Sequence, residues 1–275
     1  MTLTTSTADF GWRPDSVFFP PADVVPQALI LQVATQGGVI DGDQPSLHVP
    51  FVNDTEDAGY VAEAAEIPES NPGLDEVLIV TKKISRLVSL SNEQYRKQMT
   101  AEQVSQSVAR DLVQKADASF IGDLSNPVGL INTIGTLGGY NIASNLDDLV
   151  EAVAAIEDNG GTPGAIIVSP NTWASVQKLK LGATFDNAYT LGVGVEVAQP
   201  RLLSLPVFKS RFIPDWTGLV VDPGAVVAAV GPVQVAVSEH SMFASDSVQL
   251  RATWRIGWAC PRPDRIAKFS TEMGS

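Results

Sequence analysis

Residues 248–259, VQLRATWRIGWA, alternate almost without a fault. Val248, Leu250, Ala252, Trp254, Ile256 and Trp258 fall on one side, and Gln249, Arg251, Thr253, Arg255 and Gly257 on the other. Side chains on a strand alternate with period 2, so the run predicts one strand with an apolar face and a guanidinium-bearing face. At about 3.3 Å per residue it would extend for roughly 40 Å, about twice the common strand length. Two further β-prone runs, LHVPFV and EVLIVTKKISRLVSL, flank the acidic stretch NDTEDAGYVAEAAEIPESNPGLD. They predict a long hairpin or extended loop, apolar at its base and acidic at its tip, with turns at Asp57-Ala58-Gly59 and Asn71-Pro72-Gly73.

The period then changes. Val104, Val108, Leu112 and Ala116 recur every four residues and predict a helix of about 20 residues with one apolar stripe. Ser91-Asn92-Glu93-Gln94 and Thr100-Ala101-Glu102-Gln103 both fit the capping-box pattern. Residues 145–180 read as α/β. Asn145 caps a helix carrying Leu146, Leu149, Val150, Val153 and Ile156, Gly160-Gly161 ends it, Ala165–Val168 forms a short buried strand, and Ser169-Pro170 opens the next helix. A glycine-rich loop, FDNAYTLGVGVEVAQP, follows, and then the β-rich runs LLSLPVFKS, TGLVVDP, AVVAAVG and VQVAVSE. Near the N-terminus, Pro14, Pro20, Pro21 and Pro26 stand among Phe10, Trp12, Phe18 and Phe19, which predicts an extended arm whose aromatic rings need a surface to cover.

Composition narrows the class. The chain has 275 residues, 44% hydrophobic and 18% charged, enough for one large or two modest domains. So lean a charged surface suggests that much of it is covered, for instance by copies of itself. No apolar run is long enough for a membrane span, and the first residues lack a basic and apolar leader, so a soluble protein without an export signal is expected. The net charge of −13 is unevenly spread. Residues 1–81 hold thirteen carboxylates and one cation, Arg13, a net of −12, whereas residues 82–115 hold seven cations and three acids, a net of +4. An acidic arm and hairpin joined to a basic helix should avoid nucleic acid and seek basic protein surface.

No catalytic constellation emerges. His48 and His240 lie far apart with no carboxylate or thiol partners at ligand spacing. Cys260, the only cysteine, reads as a small buried hydrophobe, which excludes an intrachain disulfide and a thiolate metal site. The glycine clusters GTLGGY, GGTPG and LGVGV match neither phosphate-binding nor dinucleotide fingerprints and are turns. Arg251 and Arg255 share a strand face, where pairing to carboxylates is expected over phosphate binding. No cofactor or metal is called for, and the chain is expected to work by contact rather than by catalysis.

The order of elements carries a resemblance. AEAAEIPESNPGLDEVLIVTKKISRLVSLSNEQ, ADASFIGDLSNPVGLINT, AIIVSPNTWASVQKLK, LLSLPVFKSRFIP and MFASDSVQLRATWRIGWACPRPDRIAKFS, in that order and spacing, resemble major capsid proteins of tailed phages with the Hong Kong 97 fold. The resemblance implies an α+β fold of five parts. These are an N-terminal arm (1–45), an extended hairpin or E-loop (46–82), a spine helix opening the peripheral domain (83–134), an axial α/β domain (135–215) and a peripheral β block (216–275). The long strand would then pack on the spine stripe Val104–Leu112. The resemblance further implies self-assembly into hexamers and pentamers of an icosahedral head, and a place in the virion after assembly in the host bacterial cytoplasm. Partners would be the chain itself, a portal protein, a separate scaffolding protein, a decoration protein, and enclosed DNA held without sequence specificity.

Two departures from the type phage stand out. Met1 lies only ~45 residues before the hairpin, which leaves no room for an attached scaffold, and the hairpin offers no lysine for covalent cross-linking. Contact between subunits is expected instead from Tyr60, Val61, Glu63, Glu66 and Ile67 of the hairpin, laid over Arg96, Lys97 and Arg110 of a neighbour's spine. An encapsulin shell protein is the alternative within the fold, disfavoured by the prolines where encapsulins usually carry a helix. An oligomeric α/β enzyme is the alternative outside it.

Overall fold

The computed structural model describes residues 16–19, 25–40, 42, 44–53, 60–61, 73–95, 98–143, 145–179 and 200–271. Its elements in chain order are β1 (Ser16–Phe19), α1 (Leu29–Val33), β2 (Thr35–Val39), β3 (Ser46–Asn53), β4 (Gly73–Ser91), α2 (Asn92–Tyr95) and α3 (Gln98–Gly122). There follow β5 (Leu137–Ile142), α4 (Asp147–Asp158), β6 (Ala165–Val168), α5 (Pro170–Gln177), β7 (Arg201–Leu202), β8 (Leu205–Lys209) and β9 (Thr217–Val221). β10 (Val227–Val230), β11 (Val233–Met242), β12 (Ser247–Ala259) and β13 (Ile266–Thr271) complete the chain.

The alternating run is the 13-residue β12, the centre of a seven-stranded sheet. It pairs antiparallel with β4 from Ser247↔Ser91 to Gly257↔Thr81, and also with β11 and β10. Its apolar face meets α3, a 25-residue helix that rises ~1.5 Å per residue and so nearly matches the strand in length. Val108, Leu112, Ala116, Phe120 and Ile121 of α3 share one core with Ala252, Trp254, Ile256 and Trp258 of β12. The two indoles are placed by polar as well as apolar contacts. Trp254 Nε1 donates to Gly231 O at 3.0 Å and Trp258 Nε1 to Val128 O at 2.7 Å, while the Trp258 ring meets Phe120 edge-on at 5.4 Å.

The second sheet has six strands in the order β5-β13-β9-β6-β8-β7. Ala165, Ile167, Leu219, Val221 and Ile266 point into the core shared with α3, while Ile166, Val168, Val220, Ala267 and Phe269 point into a second core under α4 and α5. Phe269 lies across Gly218, where any Cβ would overlap the ring. α4 closes as anticipated: Gly160, at φ +69°, donates to Glu157 O at 2.9 Å, and Gly161 donates to Ile156 O at 2.9 Å. These two bonds satisfy carbonyls that a helix end otherwise leaves orphaned. α5 begins with Ser169 Oγ accepting the Thr172 N–H at 3.0 Å and Pro170 in the first turn.

Four expectations need correction. Residues 25–40 are no free arm: Val25, Ala28, Leu29, Ile30 and Val33 are buried in the first core, and β2 pairs parallel with β10. A five-residue helix is too short to show a period, and a parallel partner nearly two hundred positions away leaves no local trace. The C-terminal segment 216–275 does not stay in one block, because β9 and β13 stand in the second sheet. α3 starts at Gln98, so Thr100 lies within the helix rather than before it. α4 starts at Asp147 with Leu146 in the cap position, and Val150 is half exposed, facing away from the second core. The loop 185–199, Phe10 and Trp12 lie outside the described residues.

Candidate functional site

The hairpin is real and its register is complete. β3 pairs antiparallel with the first eight residues of β4, from Ser46↔Val80 to Asn53↔Gly73. It is anchored through Ile79, with Ile40 and Ala229 in a small third core to which Leu47, Val49 and Val77 add partly buried contacts. On the opposite face Leu78 is 51% exposed, and His48 Nδ1 meets Glu76 Oε1 at 2.9 Å with both side chains open to solvent. Lys82 and Lys83 lie past the hairpin, opposite Ile256 and Arg255 of β12. Lys82 is held inward, its Nζ 2.9 Å from Asp123 Oδ2.

Of the residues expected to make contacts between subunits, Tyr60 is fully exposed, Val61 is 39% exposed, and Arg110 is exposed on α3. Glu63, Glu66, Ile67, Arg96 and Lys97 lie outside the described residues. Among the described residues these segments show the hairpin strands β3 and β4 and the exposed Arg110 of α3.

A groove that sequence reading missed runs along the flank of the spine. Ile84 and Arg86 of β4, Asp111 and Lys115 of α3, and Arg211 and Phe212 after β8 line an open cavity of about 440 Å³. Arg86 pairs with Asp111. Arg211 donates to Gln114 Oε1 at 2.7 Å and sits 5.0 Å from the centre of the Phe212 ring, a cation–π distance. From Lys83 to Ser91 no strand flanks β4 on the side away from β12 among the described residues. Residues 86, 115 and 211 are far apart in sequence, so only pairing of the strands and packing of the helix could reveal the cluster.

Elsewhere the polar chemistry is structural. The Arg255 guanidinium donates to Thr81 Oγ1 at 3.0 Å and Gln44 O at 3.3 Å, tying β12 to the hairpin base. Burial pushes the Cys260 thiol up to about 11, which leaves it protonated and a poor nucleophile. Burial also raises Asp117 to about 6, although its Oδ1 accepts the Leu29 N–H at 2.8 Å and so caps α1 from the spine. Lys268 is lowered by burial and donates to Thr133 O at 3.2 Å. Among the described residues no His, Cys, Asp and Glu cluster could hold a metal ion, and no helix is long and apolar enough to cross a membrane.

Comparison with known proteins agrees with this contact-building architecture. Residues 23–270 match the model of the phage capsid family. No curated protein matches the sequence. Among solved structures, the chain is similar to the capsid of an empty GTA particle (21% identity over 90% of each chain, TM-score 0.67). It is likewise similar to a Microbacterium phage Oxtober96 structure (16% identity, 98% of this chain and 96% of that one, TM-score 0.69) and a Gordonia phage Cozz structure (15%, 90% and 87%, TM-score 0.67). At such identities the likeness speaks for the fold.

Proposed function

The chain belongs to the phage capsid family and is a major capsid protein of the Hong Kong 97 type, and from that premise we propose how it builds its shell. Copies associate as hexamers and pentamers into a closed icosahedral head around DNA, assembled in the host cytoplasm with a portal protein, a separate scaffolding protein and a decoration protein as partners. The observation that carries this reading is the β3–β4 hairpin, eight residue pairs with Leu78 half exposed, and Tyr60 fully exposed in the segment that joins its strands. Exposed apolar side chains such as Leu78 and Tyr60 have surface to bury against a neighbour, at roughly 25 cal/mol per Å².

In the assembled shell, Tyr60, Val61 and Ile67 supply adhesion. Glu63 and Glu66 steer the hairpin toward Arg96, Lys97 and Arg110 of a neighbour, each exposed pair contributing ~0.2–1 kcal/mol. Residues 1–81 contain no lysine, so the hairpin has no amine with which to form an isopeptide bond, and the shell is held without covalent links. Electron microscopy of the purified protein tests the reading, with closed shells expected. A monodisperse 29 kDa monomer at high concentration would overturn it, and shells that enclose protein cargo would point to a nanocompartment instead. On a denaturing gel, boiled particles should run as single chains; a ladder of multimers would refute the non-covalent shell.

A further inference from the structure

One strand serves both the hairpin and the first sheet. β4 pairs with β3 as far as Val80 and with β12 from Thr81 onward, so its partner changes between two adjacent residues. Among the described residues β3 pairs with no strand but β4. From this junction the eight hairpin pairs extend about 26 Å, at ~3.3 Å per residue. A tilt of about 10° at the junction would move the far end by about 5 Å, the spacing of neighbouring strands.

The junction is held from both faces of β4. On one face Ile79 is buried with Ile40 and Ala229, and Leu47, Val49 and Val77 are partly buried beside them, an apolar contact that has no preferred direction. On the other face Lys82 reaches the end of the spine. Its Nζ lies 2.9 Å from Asp123 Oδ2, 3.3 Å from Ser125 Oγ and 3.4 Å from Ser125 O, and both charged side chains are half-buried. Asp123 follows the last residue of α3 and has a fixed backbone: its carbonyl accepts the Gly129 N–H at 2.8 Å and the Asn132 side-chain amide at 3.3 Å. A cation beside the last turn of a helix is also favoured by the helix dipole. Four residues on, on the same face of the strand, Arg86 pairs with Asp111, so β4 is fastened to the spine at two points and runs antiparallel to it.

We propose that the Lys82–Asp123 pair is a latch that fixes the angle between hairpin and spine helix, which makes Lys82 a positioning residue for the geometry of the shell. A partly exposed ion pair adds little to the stability of a fold, yet it has a defined direction that the apolar contact lacks. A closed shell repeats one contact geometry from copy to copy, so a loosened hairpin spoils the shell before it spoils the subunit. The proposal rests on the capsid reading and adds to it the residues that set one of its angles.

Three variants test the latch beside wild type in full-length protein. Lys82→Met keeps the aliphatic stem and removes the charge. It should leave thermal unfolding of the unassembled subunit unchanged and lower the fraction of shells with wild-type diameter, counted by electron microscopy, at least about three-fold. Lys82→Arg, and the exchange of Lys82→Asp with Asp123→Lys, should each restore most of that fraction. Shells of wild-type diameter and yield from Lys82→Met, or no recovery in either restoring variant, would overturn the latch and leave the capsid reading standing. Loss of subunit stability in step with loss of shells would make Lys82 a residue of the fold alone and overturn the latch as well. Absence of shells from wild type would overturn the capsid reading and the latch with it.

Discussion

The two sheets solve burial differently. β12 in the first sheet packs one face on the spine helix and turns Gln249, Arg251 and Arg255 the other way, where Arg251 is exposed and the other two are half-buried. β6 in the second sheet is buried at all four positions, with Ile167 in the first core and Ile166 in the second. A sheet with one covered face reads as alternation, and a sheet between two cores reads as a continuous apolar run. The shared core makes the second sheet a wall between two packed volumes, whereas the other face of the first sheet is open at Arg251 and closed at Thr253 and Gly257.

The largest break in this contrast should come where the spine meets the first sheet. Trp258→Ala removes a fully buried ring, its edge contact with Phe120 and its hydrogen bond to Val128 O, and should cost about 3–5 kcal/mol in urea unfolding of the unassembled subunit. Next, Ile166→Ala and Ile167→Ala, adjacent residues on opposite faces, should each cost about 2–5 kcal/mol. If one of the two were harmless, one face of the second sheet would be loosely packed and the contrast would fail.

A smaller effect probes how α1 is held. The Asp117 carboxyl titrates near 6 in the fold against 3.8 when unperturbed, so its contribution to stability is full below about pH 4 and lost as pH rises through about 6. Asp117→Asn keeps an acceptor for the Leu29 N–H but carries no charge. Allowing for partial solvent screening, its stability relative to wild type should rise by about 1–2 kcal/mol between pH 4 and pH 7. A flat difference between the two proteins across that range would show the carboxyl to be solvated. The smallest effect belongs to the polar face: Arg251→Ala should stay within about 0.5 kcal/mol of wild type, since its side chain is exposed opposite Leu87, itself 60% exposed.

Local signals carried far along this chain. The alternation of β12, the four-residue stripe of α3, the Gly160-Gly161 helix end and the Ser169-Pro170 start each involve residues within a turn or two of one another, and each stands in the structure as the sequence implies. The capsid family was legible in the same way, from the order of such segments. The contact residues were legible as chemistry, acidic hairpin and basic spine, but not as a site.

What the sequence determined by itself was therefore the type and order of elements, because backbone periodicity and capping act over a few residues. Only the tertiary structure decided that residues 25–33 belong to the core, that β9 and β13 leave their neighbours for the second sheet, and that Arg86, Lys115 and Arg211 share one groove. Each of these depends on segments tens to hundreds of residues apart choosing one another. That choice is made by the fit and burial of whole faces, a property no short window of sequence contains.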